Sequence, residues 1–229
     1  MTGRLRILGI ALGLIGFGFI LAGGFTFWRV QEGQQSLNAF SAAQAVELSY
    51  NEDGQLVDRG ETAGAEAIMA FLTEEWDYAV IPWELDPNDP VVNTGSEYMY
   101  QMATVAFHTL HGTQTVVLDE DFTAPDGTVY TAGTPYEVPV DGRYWAQFDR
   151  TNPIDAAVRE QAWTGTAHAL IGELGVGTVT ASTLQLGLGM AGLFAGVGLT
   201  FVIAGLGLVW AARPEKVKVP ALQPVATPA

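Results

Sequence analysis

The chain contains no cysteine. Disulfides, zinc–thiolate sites, iron–sulfur clusters and thiol nucleophiles are therefore excluded, and any folded part must be held by its own apolar core. Positive charge is scarce: ten Lys and Arg stand against 25 Asp and Glu, a net −15 over 229 residues. Between Arg29 and Leu184 there is no lysine, and five arginines face 24 acids, a net charge of −19. A segment of that charge repels phosphate backbones, which excludes nucleic acid as its partner. Charge of either sign is missing altogether from Ile7 to Trp28 and from Leu186 to Ala212.

Those two uncharged runs are the strongest signal in the sequence. As a helix, Ile7 to Trp28 is about 33 Å long, enough to cross a hydrocarbon core of ~30 Å. Arg4 and Arg6 before it also suit a signal peptide. The run is longer than a signal core, however, and Leu21-Ala22-Gly23-Gly24-Phe25 is a poor cleavage site, so it reads as an uncleaved anchor. The second run ends in Trp210, a residue type favoured at the lipid–water interface. Arg4 and Arg6 precede the first run, and Arg213, Lys216 and Lys218 follow the second. By the positive-inside rule both ends are cytoplasmic. The expected layout is residues 1–6 inside, 7–28 as one span, 29–184 as an acidic extracytoplasmic domain, 185–212 as a second span, and 213–229 as a disordered cytoplasmic tail.

Glycine is abundant in both runs. Gly9, Gly13 and Gly16 fall on one helical face, as do Gly189, Gly192 and Gly196, and small residues at such spacing let helix backbones approach closely in lipid. The two spans are expected to pack on each other, or to leave a face for another membrane-protein subunit. Neither run holds an ionisable side chain, which argues against an ion or proton pathway.

The segment between them predicts an α+β domain, mainly helical, with a small antiparallel sheet. Helix is expected to continue from Gln31 to Tyr50, to recur from Gly64 to Trp76, and to start again at Thr94-Gly95-Ser96-Glu97, which has capping-box spacing, running to His111. Asn51 to Gly54 and Pro125 to Thr128 read as turns. Thr113 to Leu118, Val129 to Ala132, Tyr136 to Val140 and Tyr144 to Phe148 read as strands, the last two joined at Asp141-Gly142. Asn152-Pro153 begins a helix expected to reach Glu173 and to lead through a Gly/Thr/Ser hinge into the second run.

Three constellations are candidates for chemistry. Asp86 to Glu97 has the length and three of the acidic or amide positions of an EF-hand loop, but Pro90 and Val91 stand where that loop needs a ligand and a glycine. A solvated acidic loop is the expectation there, with looser cation binding by Glu84, Asp86, Asp89 and Glu97 as the alternative. His108 and His111, one helical turn apart, with His168 elsewhere, form a possible imidazole set for a metal ion, against simple polar packing. Arg143, Tyr144, Trp145 and Arg150, with Arg159 and Trp163, suit either ion pairs that orient the domain or a binding hot spot. No nucleophile elbow, phosphate loop or dinucleotide fingerprint is present, and no cofactor beyond a metal ion is indicated.

The stretch Asp141-Gly142-Arg143-Tyr144-Trp145-Ala146-Gln147-Phe148-Asp149-Arg150-Thr151-Asn152-Pro153, leading to a glycine-rich closing run, resembles two-span envelope proteins of actinobacteria. Some of these are labelled aromatic ring-opening dioxygenases. The resemblance implies a bacterial cell-membrane address. Chemistry of the extradiol type needs two histidines and a carboxylate on iron, and the residues specify no such triad. The sequence thus points to a non-catalytic membrane protein, an accessory or scaffolding subunit of a larger complex. A cation- or metal-binding extracytoplasmic domain is the alternative.

Overall fold

The computed structural model describes residues 2–213. Lys216, Lys218 and the expected disordered tail beyond Arg213 lie outside them. The chain is mostly helical and divides into two compact units, Met1–Gln31 with Leu186–Ala229, and Glu32–Gln185.

The first unit is built from the apolar parts of two long helices, α1 (Thr2–Gln44) and α5 (Gly165–Ala211). Both are long and apolar enough to cross a membrane, with mean hydropathy 2.2 in their most apolar windows. They run antiparallel and touch along a seam that repeats every seven residues, the period that keeps one helical face against a partner. Gly9, Gly16 and Gly23 meet Gly205, Gly198 and Ala191 in turn. A Cβ on Gly16 would lie 2.5 Å from the Gly198 carbonyl oxygen and 2.8 Å from the Val202 nitrogen, so only glycine allows this approach. Phe19 fills one side of the seam, its ring 6.1 Å from both Phe194 and Phe201.

In the second unit α1 ends at Gln44, short of the expected Tyr50. Ala45 turns into the left-handed region, φ 51°, and the chain leaves in extended form. Val92 then donates to the Val46 carbonyl and Leu48 to that of Pro90, an alternative pairing that helix would forfeit. Next come α2 (Thr62–Ala70), a single π turn (Phe71–Glu75), a 3-10 turn (Pro82–Glu84) and α3 (Gly95–Leu110). The α3 start carries the capping box in full: Thr94 accepts from the Glu97 amide, and the Glu97 carboxylate accepts from the Thr94 amide.

Strand β1 (Thr113–Val117) pairs antiparallel with β4 (Pro135–Pro139), while β2 (Phe122–Thr123) and β3 (Val129–Tyr130) form a short hairpin. The expected strand from Tyr144 to Phe148 is instead a 3-10 turn, Trp145–Gln147. Asp141 and Gly142 do take positive φ, 59° and 69°, but Gly142 donates to the last α3 carbonyl, Leu110, rather than closing a hairpin. Gln147 then caps the Tyr144 amide with its side chain, holding the turn.

The expected helix from Pro153 to Glu173 is two helices. Helix α4 (Pro153–Ala162) stops where Trp163 leaves helical geometry, ψ 60°, and α5 restarts under a Thr164 cap. No hinge follows. Thr178, Thr180 and Thr183 bond back to carbonyls four residues earlier, and α5 runs unbroken to Ala211.

The core of this unit gathers around α3, whose Ala103 and Ala106 admit close neighbours. Ile68, Leu72, Leu110, Val116, Val140 and Val158 are fully buried, each such side chain contributing about 1.5–3 kcal/mol. Tyr98 lies flat over Gly177 of α5, where any side chain would collide with its ring, and bonds to Ser41 of α1 at 2.8 Å.

Candidate functional site

The acids of the Glu84–Glu97 loop are committed to separate tasks. Asp86 accepts from the Asn88 amide and side chain, which holds its carboxyl below the usual range. Asp89 accepts from the Asn93 side chain at 3.3 Å. Glu97 is buried at the α3 N-terminus, and one of its oxygens accepts from Asn93, the Thr94 amide and the Thr94 hydroxyl. Burial outweighs these bonds and raises its pKa. Glu84 is also buried. Its Oε2 accepts from the Ser96 amide at 2.8 Å and its Oε1 from the Gln185 side chain. The carboxylates thus cap a helix and clamp segments together.

The three histidines likewise find different neighbours. His108 Nε2 lies 2.9 Å from Asp58 Oδ1. His111 closes the end of α3, its Nδ1 on the Phe107 carbonyl and its ring 4.2 Å from that of Phe107. His168 bonds to the Thr164 carbonyl and packs against Trp145 and Trp163. Among the described residues no three His, Asp or Glu side chains form a group suited to a metal ion. One-turn spacing sets His108 and His111 at the end of α3, but the first pairs with Asp58 and the second with the Phe107 carbonyl.

The aromatic–arginine stretch is where the sequence motif is most densely used. Arg143 donates to the Val140 carbonyl and at 2.8 Å to Asp155, and stacks over Phe148. The Tyr144 hydroxyl accepts from the Trp76 indole, and its ring stacks on Trp163 at 5.7 Å. The Trp163 indole in turn donates to the Arg143 carbonyl. Arg159 lies 3.2 Å over the Trp145 ring and donates to its carbonyl. Arg150 is exposed and joins none of these contacts. The cluster ties the β4 exit, α4 and the start of α5 into one piece.

Several features escaped the sequence reading. Tyr50 and Tyr100 bury hydroxyls that have no hydrogen-bond partner among the described residues. Burial, then Glu97 and Asp86, push Tyr50 up to about 12, and burial, then Asp58 and Tyr50, push Tyr100 up as well. Both phenols are therefore neutral. A groove of about 610 Å³ opens between α1 and α5 within the Glu32–Gln185 unit, walled by Leu37, Phe40, Val176 and Thr180, with Glu173 as its ionisable residue. The seven-residue glycine seam was also present in the sequence, but 27 glycines obscured it. Of the glycines expected to pack, Gly9 and Gly16 do so. Gly13 lends only its main chain, against Gly205. Gly189, Gly192 and Gly196 instead face away from the seam, with nothing within 4 Å of a Cβ at any of them. The reason is phase: they lie two before, one after and five after Ala191 of the Ala191–Gly198 repeat, off the face that meets α1.

Compared with protein family models, curated proteins and solved structures, the chain matches none.

Proposed function

We propose that this chain is an integral membrane protein crossing the bilayer twice, with both termini in the cytoplasm and the acidic Glu32–Gln185 unit outside. It acts there as a non-catalytic accessory or scaffolding subunit of a larger membrane complex. The observation that carries this reading is the division of glycines in the apolar helices. One set seals α1 against α5, while Gly189, Gly192 and Gly196 leave a smooth strip on the outer face of α5. In lipid, where apolar association gains little from expelling water, close backbone approach is what a partner helix can use. The acidic unit supports the same reading, because its conspicuous polar side chains serve as caps, clamps and an ion pair.

Extraction in mild detergent followed by native sizing tests it. The wild type should migrate in a complex well above the single-chain mass, and Gly192→Leu should release the single chain while leaving its unfolding unchanged. A wild type that runs as a monomer with no accompanying protein would overturn the accessory role.

A further inference from the structure

Trp83 is 82% exposed, more than any other large apolar side chain among the described residues. The other tryptophans of its unit are better covered: Trp163 is 6% exposed, Trp145 37%, and Trp76 stacks on Phe71. An indole contributes about 150–250 Å² of burial to a core, so leaving one outside is a poor use of it unless something else receives it.

The turn that presents Trp83 is hydrogen-bonded on both sides. The next residue, Glu84, is 7% exposed and bonds both to the Ser96 amide and to Gln185 of α5. On the other side the Ile81 amide donates to Ser96 Oγ at 2.9 Å. Gln185 is followed in the chain by Leu186, where the second charge-free run begins. Val30 packs at Gly187, so the first run, which ends at Trp28, finishes at the same level. Trp28 is itself 55% exposed.

We propose that Trp83 is an interfacial anchor whose indole sits in the phospholipid headgroup layer at the outer edge of the bilayer, at the depth set by the Glu84–Gln185 clamp. The proposal rests on the two-span reading above. A zwitterionic headgroup layer suits the site: it takes the apolar ring beside the glycerol backbone, offers acceptors to the indole N–H, and does not repel the neighbouring Asp86 and Asp89. Trp145 supplies an internal contrast. It packs on His168, 17 residues before Gln185 on α5, which places it about 25 Å further along that helix.

The absence of cysteine makes the test direct. Trp83→Cys, Ala146→Cys and Leu193→Cys, all at exposed positions, are each labelled with a nitroxide in phosphatidylcholine nanodiscs. Collision with oxygen, enriched in lipid, is then compared with collision with a water-soluble nickel chelate. The label at 193 should be reached by oxygen and shielded from nickel, that at 146 open to nickel, and that at 83 several-fold less open to nickel than 146. Equal nickel access at 83 and 146, with 193 in lipid, would overturn the anchor while leaving the two-span reading intact. Nickel access at 193 would overturn both. Adding Gln185→Ala to Trp83→Cys should raise nickel access at 83; no change would remove the clamp from the proposal.

Discussion

Replacing Gly16 by alanine adds one methyl group at a point of the α1–α5 seam where backbone faces backbone. That carbon would meet Gly198 O at 2.5 Å, Val202 N at 2.8 Å and Phe201 Cβ at 2.9 Å, two of them main-chain atoms that cannot swing aside. Relief requires the helices to part by roughly 0.5–1 Å, enough to forfeit a quarter to a half of each nearby dispersion contact. Overpacking of this kind costs about 1–3 kcal/mol, and alanine returns about 1 kcal/mol through helix propensity. Gly13→Ala is the matched control, since a Cβ there meets nothing within 4 Å and only the propensity gain applies. The propensity gain is common to both, so the two variants should differ by the overpacking cost of about 1–3 kcal/mol, with Gly13→Ala at least as stable as wild type. Unfolding by sodium dodecyl sulfate in mixed micelles, followed by tryptophan fluorescence, measures the difference. If Gly16→Ala proved as stable as Gly13→Ala, the seven-residue seam would be wrong.

Glu97 gives a pH test with a defined sign. Burial raises its folded pKa, so its contribution to stability is greatest below the unfolded carboxyl pKa and is lost as pH rises through the folded value. Glu97→Gln has no such proton, so between about pH 4 and about pH 7 the stability gap in urea melts should move in the variant's favour; movement toward the wild type would refute the assignment. Arg143→Lys keeps the charge but loses the fork that serves Val140, Asp155 and Phe148 together, and should cost about 1–3 kcal/mol, whereas Arg150→Lys should stay within about 0.5 kcal/mol. Equal urea midpoints for the two arginine variants would show that the cluster is not a fastening.

Local signals were legible wherever a residue's partner lies nearby in the chain. Thr94 and Glu97 are three residues apart, and their capping box is present; Asn152 accepts from Ile154 and Asp155 and starts α4 as its spacing implies. The two long apolar helices and the small antiparallel sheet were also legible, because each rests on a run or an alternation. Failures occurred where a distant partner outbid the local pattern. Tyr144 to Phe148 has strand composition, yet Trp76, Arg159 and Trp163 draw its aromatics into a turn. Helix propensity carries through Trp163, but its indole is needed at the Arg143 carbonyl, and the helix breaks there.

The missing cysteine, the missing lysine between Arg29 and Leu184, and the two charge-free runs came from the sequence alone, since composition and run length do not depend on any long-range contact. Which glycines face which helix did not. Gly16 and Gly192 are alike as letters in an apolar run, and only the packed pair separates them, because a helical face acquires meaning from what lies opposite. The same holds for the charged residues: 24 acids in the segment could not be ranked by sequence, and only burial beside Ser96 and Gln185 distinguishes Glu84 from the rest.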